Sequence, residues 1–121
     1  METKKIIVSV LSLLILDLIW ITTYMGPRYN ILVNQIQGSK MKVNRWSALL
    51  AYIFMVILLI QFVIKYKFSV LESFLFGMCL YGVYDFTCGA VFTKWDFNLA
   101  IIDVIWGGLV YATVSYISKQ I

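Results

Sequence analysis

Three aspartates carry most of the chemistry this chain can do, because of where they fall. Leu16-Asp17-Leu18-Ile19-Trp20 and Ile102-Asp103-Val104-Ile105-Trp106 share one pattern, aliphatic-Asp-aliphatic-Ile-Trp, and both lie inside long apolar runs. A third apolar run holds Tyr84-Asp85-Phe86-Thr87. An Asp at the centre of a membrane helix opposes insertion by about 2.5 to 3.5 kcal/mol. Three of them in so short a chain mark a place where protons or cations are held, helices are pinned, or acid–base chemistry is done. In both copies of the repeat the Trp follows the Asp by three residues, so the two side chains project from one helix face. The indole N–H is then able to donate to a carboxylate, including one on a neighbouring helix. Carboxyl groups crowded together away from water cannot all ionise, so at least one is expected to keep a proton at neutral pH. Thr22, Thr23, Tyr81, Tyr84 and Thr87 are further hydroxyl partners near this level.

The elements that position these groups follow from composition. The chain has 121 residues, 62% hydrophobic and 13% charged, against about 45–50% and about 25% in a soluble domain. Such a surfeit of apolar surface must face lipid. Four runs are of span length, roughly 6–25, 46–64, 70–92 and 97–117, each enough to cross about 30 Å of hydrocarbon at 1.5 Å per residue. Gly26-Pro27 is expected to end span one, since proline disfavours helical geometry in the residue before it. Between Pro27 and Gly38, Tyr29, Ile31, Leu32, Val33 and Ile36 interleave with Arg28, Asn30, Asn34, Gln35 and Gln37, the pattern of a short interfacial amphipathic helix. Trp20, Tyr24, Tyr29, Trp46, Tyr66, Trp95, Tyr111 and Tyr116 lie mostly near span ends, as an aromatic belt would. Met1-Glu2-Thr3-Lys4-Lys5 resembles a signal n-region, but the run behind it is of span length, carries Asp17 and lacks a small-x-small cleavage site, so a retained first helix is expected.

Depth can be counted from the span ends, taking the side that holds residues 26–45 as the far side. Asp17 lies eight residues before the far end of span one, Asp85 seven before that of span three, and Asp103 six after the far start of span four. All three therefore fall in one layer about 9 to 12 Å deep, expected to face the bundle interior. Every Lys and Arg falls in a terminus, a loop or a span edge, so no residue of the chain can pair ionically with that layer. Protons, a bound cation or water must compensate it. The basic residues divide five against five between the two sides, which leaves the orientation open.

Other signals exclude function classes. There is no His, and Cys79 and Cys88 stand about 13.5 Å apart along one helix, so neither a zinc or haem site nor an internal disulfide is expected. No cofactor is expected. Phosphate loops, dinucleotide fingerprints and nucleophile elbows are missing. The net charge of +4 suits anionic headgroups rather than nucleic acid. Gly107, Gly108 and Ala112 form a small-residue contact face, for helix packing or for a second copy of the chain, and Gly107-Gly108 is a place where span four can kink. Glu72 reads as interfacial, and Lys94 with Asp96 as a weak surface pair.

Taken together, Asp17 with Trp20, Tyr84-Asp85-x-Thr87, and Asp103-x-x-Trp106-Gly107 resemble the motifs of a small four-helix membrane family, domain of unknown function 2177, of bacteria and large DNA viruses. Tyr52 and the 26–46 loop also match features of that family, whereas Cys88 stands where its members often have Asn. The resemblance covers nearly the whole chain. It implies a four-span protein of a bacterial inner membrane, or of a host or virion membrane in a viral setting, and supplies no activity. The expected fold is an all-α integral membrane bundle of four transmembrane helices, one domain over 1–121, with the short interfacial helix between spans one and two. Three functions fit the site Asp17, Trp20, Tyr84, Asp85, Thr87, Asp103 and Trp106. The first is a small transporter or channel for protons, a cation or a small amphipathic solute, working as a homo-oligomer among membrane lipids. The second is a non-catalytic scaffold or assembly protein. The third, a lipid-modifying enzyme with paired carboxyls as acid and base, ranks last because no nucleophile or metal signature accompanies it.

Overall fold

A computed structural model describes residues 3–121, and among these residues there is helix and no strand. The Met1-Glu2 part of the n-region lies outside them. Helix α1 (Thr3–Trp20) passes through a π-helical turn (Ile21–Met25) into α2 (Gly26–Gln37). Helix α3 (Arg45–Leu58) continues as a second π-helical stretch (Leu59–Ile64), and α4 (Val70–Val91) and α5 (Phe97–Lys119) complete the chain. The four continuous helices, Thr3–Gln37, Arg45–Ile64, Val70–Val91 and Phe97–Lys119, are each long and apolar enough to cross a membrane.

Local chemistry sets the helix ends. Asn44 caps α3 by accepting from the Ser47 N–H, and Asp96 caps α5 by accepting from the N–H groups of Asn98 and Leu99. Ser69 and Glu72 form a reciprocal capping box at the start of α4, which accounts for an acid at that edge. Gly38 closes α2 in the left-handed region at φ 73°. Asp96 is thus engaged as a cap. Lys94 does not pair with it: its Nζ donates to the Gln35 carbonyl at 3.2 Å, in the last turn of α2, where a cation is favoured.

Helix α5 lies at the centre. It runs unbroken through Gly107-Gly108, and the close contact these glycines make is with α4 of the same chain. A Cβ on Gly77 would fall on the Gly107 carbonyl, one on Gly107 would meet the Tyr81 ring, and one on Gly108 the Phe74 ring. Ala112 is only half-buried. On its other side α5 packs against α1, and Leu13, Leu59, Val63, Tyr111 and Val114 form the main core. A smaller cluster of Leu32, Trp95 and Ala100 joins α2 to the far end of α4 and α5. Helix α3 fully buries none of its residues. Large apolar side chains such as Phe54, Leu71 and Val83 stand 60–70% exposed, the surface of a protein whose solvent is lipid.

Gly26-Pro27 does not end span one. The Gly26 N–H donates to the Ile21 carbonyl, five residues back, and the widened turn carries the chain past Pro27, which occupies the first turn of α2 where a missing N–H is tolerated. The turn also corrects the helix face. At 100° per residue, Met25, Tyr29 and Leu32 would lie about 80°, 120° and 60° from Asp17; a π-turn adds one residue to the circuit and brings them to about 20°, 20° and 40°. Ser9, Leu13, Asp17, Met25 and Leu32 are in fact all buried, one stripe on both sides of the turn.

Gly26 is therefore a steric requirement, because a Cβ there would collide with the Ile21 carbonyl. Gly26→Ala is expected to lower stability by about 1–3 kcal/mol, more than Gly38→Ala, which meets open space and carries only the left-handed penalty of about 1–2 kcal/mol. Thermal unfolding in detergent followed by circular dichroism compares the two; equal midpoints would refute the steric role.

Candidate functional site

The site is built outward from Asp17, which is 3% exposed. Its Oδ1 accepts from the Tyr81 hydroxyl at 2.6 Å and from Trp106 Nε1 at 3.0 Å, and its Oδ2 accepts from the Tyr52 hydroxyl at 2.8 Å. The carboxylate on span one thus receives one donor from each of the other three spans. Its position on α1 and theirs on α3, α4 and α5 is one level of the bundle.

One turn farther along, the repeat is used in reverse. Trp20 Nε1 donates to Asp103 Oδ1 at 3.1 Å. Because α1 and α5 are antiparallel, Asp17 faces Trp106 while Trp20 faces Asp103, and each motif copy supplies the acceptor for the other copy's indole. The two indoles stack at 4.7 Å with an interplanar angle of 10°, and Tyr24 stacks on the other face of Trp20 at 4.6 Å. The guanidinium of Arg28 lies 3.7 Å from the Tyr24 ring centroid, completing a column that descends from the far side.

Asp103 also neighbours Asp85 of α4, since one hydroxyl, that of Tyr29, reaches an oxygen of each carboxyl. The Tyr29 hydroxyl covers the pair from α2, 3.3 Å from Asp85 Oδ1 and 3.4 Å from Asp103 Oδ2. Tyr29 in turn lies against Trp95, with ring centroids 6.1 Å apart. Asp85 is fully buried, and its Oδ2 has no hydrogen-bond partner. The three carboxyls accordingly form two centres rather than one cluster. Asp17 is saturated by donors. Asp85 and Asp103 are under-supplied, held by long bonds to one hydroxyl and by one indole. Among the described residues no group of three acidic, His or Cys side chains is arranged to hold a metal ion.

A model of the family described as "Predicted membrane protein (DUF2177)" matches residues 3–119. The chain belongs to the DUF2177 family. No curated protein and no solved structure matches it.

Of the residues expected to form the site of this DUF2177 protein, Asp17, Trp20, Asp85, Asp103 and Trp106 are brought together. Tyr84 and Thr87 are exposed on the outer face of α4. Thr22 and Thr23 are exposed too, and their hydroxyls donate to carbonyls of their own helix, Leu18 and Ile19. Three hydroxyls do the work instead. Tyr81 stands four residues before Asp85, one turn away on the same face, a signal the sequence does carry. Tyr52 lies in span two, visible only through the family resemblance. Tyr29 reads as a belt residue until the π-turn rotates it inward. Trp20 and Tyr111 likewise leave the belt: Tyr111 is fully buried and donates to the Met55 carbonyl at 2.9 Å. Buried serines, Ser9, Ser73, Ser115 and Ser118, continue the polar interior toward the near side. No ion pair forms among the described residues.

If Asp17 ties the four spans together, its donors share one energy. Tyr81→Phe and Tyr52→Phe keep the ring and remove the donor, and each is expected to lower stability by about 0.5–2 kcal/mol. The double variant should depart from additivity by more than about 0.5 kcal/mol, since both hydroxyls serve one carboxylate. Detergent or urea unfolding of the four proteins gives the cycle; strict additivity would argue against a shared node.

Proposed function

We propose that this DUF2177 protein is a small proton-linked membrane transport protein, with Asp85 and Asp103 as the group that takes up and releases the proton. The observation that carries the proposal is the pair itself: two carboxyls under one Tyr29 hydroxyl, both buried inside the bundle without an ion-pair partner among the described residues, and with Asp85 Oδ2 unpaired. An ionisable group inside a membrane bundle is by default a proton or ion site, and this one is supplied too weakly for pure packing. Tyr29 stands between the pair and the far side. Because it sits on α2, beyond the π-turn, rotation about that turn would uncover Asp85 and Asp103 without disturbing Asp17. The buried hydroxyls of Tyr111, Ser115 and Ser118 offer polar groups on the near side.

A four-span chain encloses little volume, so the substrate path would run between copies of the chain in a homo-oligomer. Gly107 and Gly108 are occupied within the chain, and the contact would use another face. The membrane concerned is a bacterial inner membrane or, in a viral setting, a host or virion membrane. The rival role, a non-catalytic scaffold, draws its support from Asp17, whose three donors make it helix-pinning in kind.

Reconstituted in liposomes with an internal pH-sensitive dye, the wild-type protein is expected to move protons with or against an imposed cation or solute gradient. Asp85→Asn keeps the shape of the side chain and cannot ionise, so it should abolish that flux with little change in the unfolding midpoint. Asp17→Asn should instead impair folding. A wild-type protein that moves nothing under proton, sodium or potassium gradients, together with equal destabilisation by both variants, would favour the scaffold.

A further inference from the structure

A second feature lies on the opposite half of the molecule, away from the aspartates. A groove of about 530 Å³ runs along the outside of α4, between that helix and the end of span two. Leu58, Phe68, Leu75, Cys79 and Val83 line it, with Glu72 at its near end. From Glu72 to Val83 it follows eleven residues of helix, about 16 Å, which matches one leaflet of a hydrocarbon core about 30 Å thick. Its floor is aromatic: Phe76 packs edge-on against Phe68 at 5.8 Å and beside Phe62 at 6.2 Å.

The end of span two that runs into the groove at Phe68 is basic. Span two ends in a Schellman motif, in which the Phe68 N–H donates to the Val63 carbonyl and the Lys67 N–H to the Ile64 carbonyl. This tucks Phe68 into the groove wall and leaves Lys65, Tyr66 and Lys67 exposed. Lys67 takes the left-handed position of that motif at φ 52°, the one non-glycine residue with positive φ among those described. Glycine fills this position most readily, and here the position carries a lysine next to Phe68 of the groove wall. The Glu72 carboxylate is already engaged by the Ser69 N–H. Lys65 and Lys67 against Glu72 leave this end of the two helices with a net positive charge at the headgroup level, above an open apolar groove.

We infer that this groove binds one anionic glycerophospholipid of that leaflet, with an acyl chain along α4 and the phosphate at Lys65 and Lys67. The site is independent of the proton-linked function. Each lysine near a membrane surface contributes an attraction worth about fivefold in binding.

The test titrates the full-length protein in detergent with phosphatidylglycerol and with phosphatidylcholine of identical chains, read by native mass spectrometry. One phosphatidylglycerol is expected to stay bound about tenfold or more tightly than phosphatidylcholine. Lys65→Ala with Lys67→Ala should reduce that preference to within about twofold, whereas Lys4→Ala with Lys5→Ala, on the same side but away from the groove, should leave it intact. Cys79→Trp, which fills the channel, should weaken retention of both lipids. Equal retention of the two lipids, a preference unchanged in the Lys65 and Lys67 variant, or an equal loss in the Lys4 and Lys5 variant would overturn the site. Should Cys79→Trp fail to fold by circular dichroism, the exposed lysine pairs decide it alone.

Discussion

A carboxylate withdrawn from water needs donors on all sides, and in Asp17 that need is met by one residue from every other span. Tyr52, Tyr81 and Trp106 are 35, 64 and 89 residues away in sequence. Their convergence determines how far each helix can slide or turn. In lipid, where apolar side chains gain little from leaving the solvent for one another, such directional bonds carry more of the specificity than hydrophobic contact can. Moving any span by one residue along its axis, about 1.5 Å, or about 100° about it, would take its donor away from Asp17. The close glycine contact of α4 with α5 then sets the distance at which Tyr81 and Trp106 approach the same oxygen.

The antiparallel exchange between the two motif copies extends this control by one turn. Asp17 and Asp103 are the same residue type in the same short pattern, yet their surroundings differ. Asp17 receives hydroxyls from α3 and α4 in addition to its indole. Asp103 receives an indole and then meets another acid. The asymmetry arises from what lies alongside, Tyr52 and Tyr81 at one level and Asp85 at the other. A repeated motif has thus produced one centre that holds the fold and one that is left with chemistry to do.

Much of this was legible in the residues. Hydropathy located spans two, three and four to within two positions but ended span one at residue 25, where the helix runs on to Gln37, and the i, i+3 spacing of Asp and Trp announced that indole and carboxylate share a face. Counting from the span ends put the three acids at a common depth within a turn. What could not be read is what depends on helix phase. The π-turn at Ile21–Met25 leaves no clear mark in composition, since Gly26-Pro27 is equally a stop signal, and without it Tyr29 points elsewhere. The choice between Tyr81 and Tyr84 was likewise a matter of rotation. Both neighbour Asp85 in sequence, and only the one four residues back lies over the same face. The caps Asn44, Ser69 and Asp96 are of residue types that start helices, yet Asp96 reads from the sequence as half of a surface pair with Lys94 and is engaged instead by the Asn98 and Leu99 N–H groups.

Translation order gives the buried network of Asp17 a bearing on biogenesis. Span one emerges from the ribosome while Tyr52, Tyr81 and Trp106 have yet to be made, so it must enter the bilayer with its acid uncompensated. An Asp near a helix centre then weighs against insertion by about 2.5–3.5 kcal/mol, to be offset by aliphatic residues at about 0.3–0.6 kcal/mol each. The chain is built accordingly. An 18-residue stretch of span one reaches a mean hydropathy of 2.4 and one of span two 2.6, while those of spans three and four, which arrive when partners are already waiting, manage with 1.4 and 1.6. The early helices are rich in apolar residues because they must be accepted by the membrane alone, and the late ones can be polar because they are received by a protein.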